Sequence, residues 1–294
     1  MSFMDRARLD GRTVVIFGGS GGGMGTATSQ ALASAGANLV VFDITEERVE
    51  DARKDVAEVG GRCVGLVGDV RELSAVERAY ALADEEFGAL HGVVNLVGGT
   101  RVETKGGTAY NASPWNPLHE FSDEIWSEMF ELNTDYVFRS CRLAARAMIA
   151  RKTAGTIVNF ASASAIAGAA YHGPYGAAKA AVMALTKTLA IELGPYGIRA
   201  NCVVPGSVPA PLSKQASLKT FDSITDRASA KAPLGRRVAP EEIAGAVLFF
   251  SSELSGGVTG QCLNVDAGAS ANSPLGTGRE YAESMATRHG ESAR

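Results

Sequence analysis

The sequence is poor in the features that mark specialised environments. Four cysteines occur in 294 residues, Cys63, Cys141, Cys202 and Cys262, and they are scattered. None forms a CxxC pair or has a histidine at metal-ligand spacing, so no metal site is expected and buried free thiols are. Like charges do not cluster, Arg236-Arg237 being only a pair, and the formal net charge is −4, which argues against a nucleic-acid surface. No segment approaches the roughly 18 continuous apolar residues of a membrane helix. The opening Met1-Ser2-Phe3-Met4-Asp5-Arg6 lacks the apolar core of a signal peptide. A cytoplasmic protein without membrane or nucleic-acid partners is the expectation.

Hydrophobic residues make up 46% of the chain and charged residues 20%, ordinary values for a chain able to bury a sizeable core. Short apolar runs alternate with helical segments. Strands are expected at 13–17, 38–42, 63–67, 93–97, 156–160, 199–204 and 261–265. Helices are expected near 25–34, 46–59, 74–87, 123–150, 174–192 and 240–251. Near-continuous Val/Ile/Leu strands are buried on both faces, and strict alternation with helices implies an α/β fold, a doubly wound parallel sheet of about seven strands. With no internal linker or repeat, residues 1–270 read as one Rossmann-type domain and 271–294 as a polar tail. Two long connections, 98–121 and 205–233, follow strand ends, where such sheets bind ligands, and are expected to wall the substrate site.

After the first strand comes Gly18-Gly19-Ser20-Gly21-Gly22-Gly23-Met24-Gly25, leading into a helix. Amides at a helix start, free of side chains, make an anion site for a pyrophosphate. Strict GxGxxG spacing is absent, and so is the GK[ST] ending of a nucleoside-triphosphate loop. Asp43 ends the second strand, eighteen residues past Gly25, near the spacing of a ribose-binding carboxylate. No Arg or Lys follows it directly or lies in the glycine loop, so NAD is expected rather than NADP. Asp69, in Gly68-Asp69-Val70, is placed to reach the adenine amine.

The reacting end is read from Asn133, Ser162, Tyr175 and Lys179. Tyr175 and Lys179 are four apart on one helical face. An ammonium beside a phenol favours the phenolate, lowering a tyrosine pKa from roughly 10 and making an acid/base for an alcohol or carbonyl. Ser162, thirteen residues earlier at the end of a strand, is placed to hold the reacting oxygen.

Together these residues resemble the short-chain dehydrogenase/reductase family. Its TGxxxGxG loop matches at Gly19, Gly23 and Gly25, its NNAG stretch at Asn95-Leu96-Val97-Gly98, and its helix Asn at Asn133. Ser162, YxxxK at Tyr175 and Lys179, and Pro205-Gly206 follow in order, and the match spans roughly 10–269. The resemblance implies an NAD enzyme interconverting a secondary alcohol and a ketone. Tyr175 would be the acid/base, Lys179 would bind the nicotinamide ribose and lower the tyrosine pKa, Ser162 would orient the substrate, and Asn133 would hold a relay water. Cofactor contacts are expected from Gly19, Ser20, Gly23, Met24, Gly25, Asp43, Asp69, Val70, Asn95, Gly98, Tyr175, Lys179, Pro205, Gly206 and Val208. Ala210 stands where the family has a carboxamide-binding Thr, so the backbone of Val208 is expected to serve instead. Alternatives are a cis-dihydrodiol dehydrogenase forming a catechol, an NADPH-dependent ketoacyl-type reductase, and a non-catalytic nucleotide-binding regulator. His172 is a candidate substrate contact, and a homodimer or tetramer is implied.

Overall fold

The computed structural model describes residues 2–104, 107–110, 117–209, 226, 229–230 and 232–271. The expected C-terminal tail, Trp115, Ala210 and most of the 205–233 connection lie outside the described residues.

Seven parallel strands form one sheet: β1 (Thr13–Phe17), β2 (Asn38–Asp43), β3 (Arg62–Val67), β4 (Gly92–Asn95), β7 (Gly155–Phe160), β8 (Ile198–Pro205) and β9 (Cys262–Val265), in the order β3-β2-β1-β4-β7-β8-β9. Strand pleating sorts the core into two layers. Val15 and Phe17 of β1 pack in a cluster with residues of α3 (Leu73–Phe87), α5 (Tyr136–Arg151) and α6 (Gly173–Leu193). Val14 and Ile16 belong to the opposite cluster, with α1 (Met24–Ser34), α2 (Glu46–Glu58) and α7 (Pro240–Ser251). Both faces are thus covered by helices, which is why all five β1 residues are apolar or buried.

The chain runs outward from β1 to β3 and then restarts at β4 on the other side of β1. At this switch point the loops after β1 and β4 diverge and leave a crevice beyond the strand ends. The β4 strand stops at Asn95 rather than at Val97, because the amides of Leu96 and Val97 both turn to the Phe17 carbonyl.

Two other sequence expectations change. The connection after Gly98 contains an antiparallel hairpin, β5 (Arg101–Thr104) with β6 (Gly107–Tyr110). The single helix expected over 123–150 is three pieces: α4 (Asp123–Phe130), a π-helical turn (Glu131–Asp135) and α5. The inserted turn rotates the following residues relative to the first half and carries Asn133 into the interior.

Candidate active site

A cavity of about 270 Å³ occupies the crevice, lined by the glycine loop, the ends of β2 and β3, and the 96–100 segment after β4. Its floor depends on close backbone packing. A Cβ on Gly25, in the first turn of α1, would lie 2.3 Å from the Gly18 oxygen and 2.5 Å from the Ser20 oxygen. Only glycine lets the loop fold back on the helix start and turn free amides toward the cavity.

Asp43 ends β2 at one side of this cavity and is only 4% exposed. Its carboxylate accepts from Ser20 Oγ (2.9 Å), from the Ile44 amide (2.8 Å) and from Arg48 Nη1 (3.4 Å). Arg48 is a functional neighbour that the sequence reading missed. The signal was available: Thr45 caps α2, which puts Arg48 in the first helical turn with its side chain able to reach back to the strand end. Asp69, expected at the adenine, is engaged by Arg71, whose Nε lies 2.9 Å from both carboxylate oxygens. Both residues line the cavity.

The reacting end lies beside the 98–99 rim. Ser162 follows β7, caps a short 3-10 turn by accepting from the Ser164 amide (3.2 Å), and lies near enough to Tyr175 to influence its phenol. Tyr175 stands in the first turn of α6, where Pro174 is pre-set for helix and the Gly176 amide closes on the His172 carbonyl (2.8 Å). One turn on, Lys179 is 2% exposed. Its Nζ donates to the Phe160 carbonyl at 3.1 Å and lies 5.9 Å from the Tyr175 ring centroid.

This geometry corrects the expected electrostatics. Burial pushes the Tyr175 phenol above its ordinary value, and the neighbouring Ser162 hydroxyl acts to lower it. The Lys179 ammonium is held by the Phe160 carbonyl. Burial lowers Lys179 itself to about 8.

Asn133 is tied into the same rim. Its carboxamide accepts from the Gly99 amide (2.9 Å) and donates to the carbonyls of Gly99 (2.9 Å) and Met129 (3.0 Å). The side chain therefore clamps the rim. Gly98 is wedged between these groups. A Cβ there would lie 2.6 Å from Lys179 Nζ and 2.7 Å from Asn133 Oδ1, and its φ of 156° also favours glycine.

Of the expected cofactor contacts, Ser20, Gly23, Met24, Gly25, Asp43, Asp69, Val70, Gly98 and Val208 line the cavity. Gly19 lies behind the loop, its carbonyl accepting from Ser29 Oγ (2.7 Å). Pro205 ends β8 and the Gly206 amide continues its pairing to the Val265 carbonyl (3.0 Å), so both support Val208 from below. Asn95 does not reach the cavity with its side chain, which is fully buried in a polar chain beneath the site. Ser140 Oγ donates to Asn95 Oδ1 (2.6 Å), Asn95 Nδ2 to Asn159 Oδ1 (2.8 Å), and Asn159 Nδ2 to Thr186 Oγ1 (3.0 Å). Through it α5, β4, β7 and α6 are pinned to one another, fixing the helix that carries Tyr175 and Lys179. An Asn inside the apolar run Ile157-Val158-Asn159-Phe160 was the sequence signal for this network. His172 lies next to the site, its ring centroid 6.3 Å from that of Tyr175.

Comparison with known proteins supports the same reading of the fold. Residues 19–270 match a family profile described as enoyl-(acyl carrier protein) reductase. The chain is 34% identical to the short-chain reductase protein NovJ of Streptomyces niveus, over 87% of this chain and 93% of that protein. It is also 34% identical to the 2,5-dichloro-2,5-cyclohexadiene-1,4-diol dehydrogenase of Sphingobium indicum, over 90% of this chain and 98% of that one. Among solved structures it resembles a gluconate 5-dehydrogenase from Burkholderia cenocepacia in complex with NADP and tartrate. There the TM-score is 0.78 and the identity 31%, covering 92% of this chain and all of the other.

Proposed function

The chain belongs to the short-chain dehydrogenase/reductase family, and from that premise we propose that it is an NAD-dependent oxidoreductase interconverting a secondary alcohol and a ketone. One observation carries the reading: Lys179, with Tyr175 and Ser162 beside it, packs against Gly98 on the rim of a cavity whose other side is closed by the Asp43 carboxylate. The glycine loop with its close-packed Gly25 and the buried carboxylate fit a dinucleotide bearing a ribose diol. The nicotinamide ring supplies the hydride acceptor or donor when bound.

The protein supplies position and protons. Ser162 holds the substrate oxygen against Tyr175. In oxidation the Tyr175 oxygen takes the hydroxyl proton, and in reduction it returns one to the carbonyl oxygen. Lys179, lowered to about 8 by burial, exchanges its own proton near working pH and, one helical turn from Tyr175, would bind the nicotinamide ribose.

NAD is favoured over NADP by a comparison of two charges. A 2′-phosphate about 5 Å from Asp43 would be repelled by about 3 kcal/mol per unit charge at an effective dielectric of about 20. Arg48 attracts such a group, but its side chain is 34% exposed against 5% for Asp43, so solvent screens the attraction more than the repulsion. A second substrate reading rests on the dichlorocyclohexadienediol dehydrogenase among the relatives: a cyclic diol oxidised by the same proton and hydride steps. Exposed Trp126 of α4, Phe138 of α5 and Ile191 of α6 support a homo-oligomer.

The test is titration of the purified protein with NADH and NADPH by nicotinamide fluorescence, followed by secondary alcohols and cyclic diols with NAD. Tighter NADH binding and NAD-dependent turnover support the proposal. Preference for NADPH overturns the Asp43 assignment, and absence of binding overturns the enzyme reading.

A further inference from the structure

Cys202 and Cys262 are direct neighbours in the paired register of β8 and β9. In-register strands run about 4.7–4.9 Å apart, which falls within the roughly 4.4–6.8 Å separation of Cα atoms that a disulfide spans. Both side chains belong to the layer facing α6, because Cys262 packs against the cluster that contains Cys202. They share a face, and their thiols are close enough to influence each other.

The two thiols differ in the way a dithiol pair needs. Cys262, on the edge strand, is partly exposed, and Cys202 is fully buried. The neighbouring Cys202 thiol, helped by the charge of Lys187, lowers the Cys262 thiol to about 7 even though burial opposes it. The same partnership pushes Cys202 well up. At the other cysteines burial outweighs the contacts that act to lower them. Burial raises Cys63 to about 11 and Cys141 to about 12, which leaves both as unreactive thiols.

We propose that Cys202 and Cys262 form an oxidisable dithiol that a peroxide closes into an intrachain disulfide. The Cys262 thiolate attacks one peroxide oxygen, breaking the O–O bond and releasing hydroxide or alkoxide, and becomes a sulfenic acid. The Cys202 sulfur then attacks the Cys262 sulfur, forming the S–S bond and expelling water that carries the Cys202 proton. Two thiols are oxidised and one peroxide is reduced. A thiol reductant reverses the step.

The site lies under the cofactor end of β8. Lys179 and Cys202 are close enough for their charges to interact, and Gly206 and Val208 follow a few residues later in the same strand exit. The pair is therefore placed to report an oxidising challenge to the candidate active site.

The full-length protein, reduced and then exposed to hydrogen peroxide, is alkylated under denaturing conditions and read by intact mass and peptide mapping. The expected result is loss of two hydrogen atoms, a cross-linked pair of peptides carrying Cys202 and Cys262, and recovery of both alkylated thiols after dithiothreitol. Cys262→Ser should abolish the cross-link while Cys63→Ser leaves it intact, and circular dichroism checks that each variant is folded. Sulfinic or sulfonic Cys262 with Cys202 still alkylatable, or four unmodified thiols, overturns the proposal. The readout is mass, so it stands apart from any failure to find a substrate or cofactor.

Discussion

Asn133 and Gly99 exchange two hydrogen bonds, the Gly99 amide to Asn133 Oδ1 and Asn133 Nδ2 to the Gly99 carbonyl, both 2.9 Å. A side-chain amide here does the work of a strand neighbour, holding the chain that leaves β4 at the height of Lys179. The clamp exists because the π-helical turn adds a residue between α4 and α5 and swings Asn133 inward.

Asn133→Ala should leave two part-buried backbone groups of Gly99 without their side-chain partner, costing about 1–2 kcal/mol of stability and lowering turnover with them. Asn133→Asp keeps the acceptor for the Gly99 amide but sets a carboxylate oxygen against two carbonyls. It should be at least as damaging despite its matching shape. Denaturant melts and kcat/KM of both variants check this, and a tolerated aspartate would show that the donor half of the clamp is dispensable.

Tyr175→Phe removes the phenol oxygen and leaves the ring. Steady-state kinetics should show kcat/KM reduced by about 10²–10⁴, with NADH affinity changed by less than about threefold. An equal loss in binding would instead make Tyr175 part of the cofactor seat.

Lys179 carries a signed prediction in pH. Its buried ammonium holds its proton less tightly when folded, at about 8, than at the ordinary 10.5. Below pH 8 both states are protonated and the burial penalty is felt in full. Between about 8 and 10.5 the folded chain releases the proton while the unfolded chain keeps it, so this group's contribution to stability rises with pH. Lys179→Met should therefore be more stable than the parent at pH 7, by up to about 3 kcal/mol, with the gap closing as pH approaches 10.5. Parallel urea melts of the two proteins at several pH values measure it, and a gap that does not vary with pH counts against a charged buried lysine.

Asp43→Asn removes the negative charge while keeping an acceptor for Ser20 and Ile44, and leaves Arg48 without its carboxylate partner. The ratio of NADPH to NADH affinity should rise about tenfold or more. Adding Arg48→Ala should return most of that gain, and fluorescence titration of the single and double variants separates the two residues.

Much of this protein was determined by local sequence alone. The apolar run Thr13–Phe17 could only be a strand buried on both sides, and Gly25 and Asp43 follow it at spacings that belong to a dinucleotide crevice. Tyr175 and Lys179 share a face because helical geometry leaves no choice at four residues apart. Strand and helix alternation likewise implied the order of layers, since a strand apolar on both faces must be covered on both.

What the chain could not show in one dimension is where each polar group finds its partner. Arg48 reaches Asp43, Asn133 turns to Gly99, Asn95 and Asn159 join each other across β4 and β7, and Cys202 meets Cys262. Each of these pairs was decided by tertiary packing. A buried donor or acceptor must be satisfied by whatever the fold brings within about 3 Å, and burial also sets its charge. That is why the sequence correctly placed Lys179 beside Tyr175, yet only the folded interior decided that the lysine is lowered to about 8 while the tyrosine is raised.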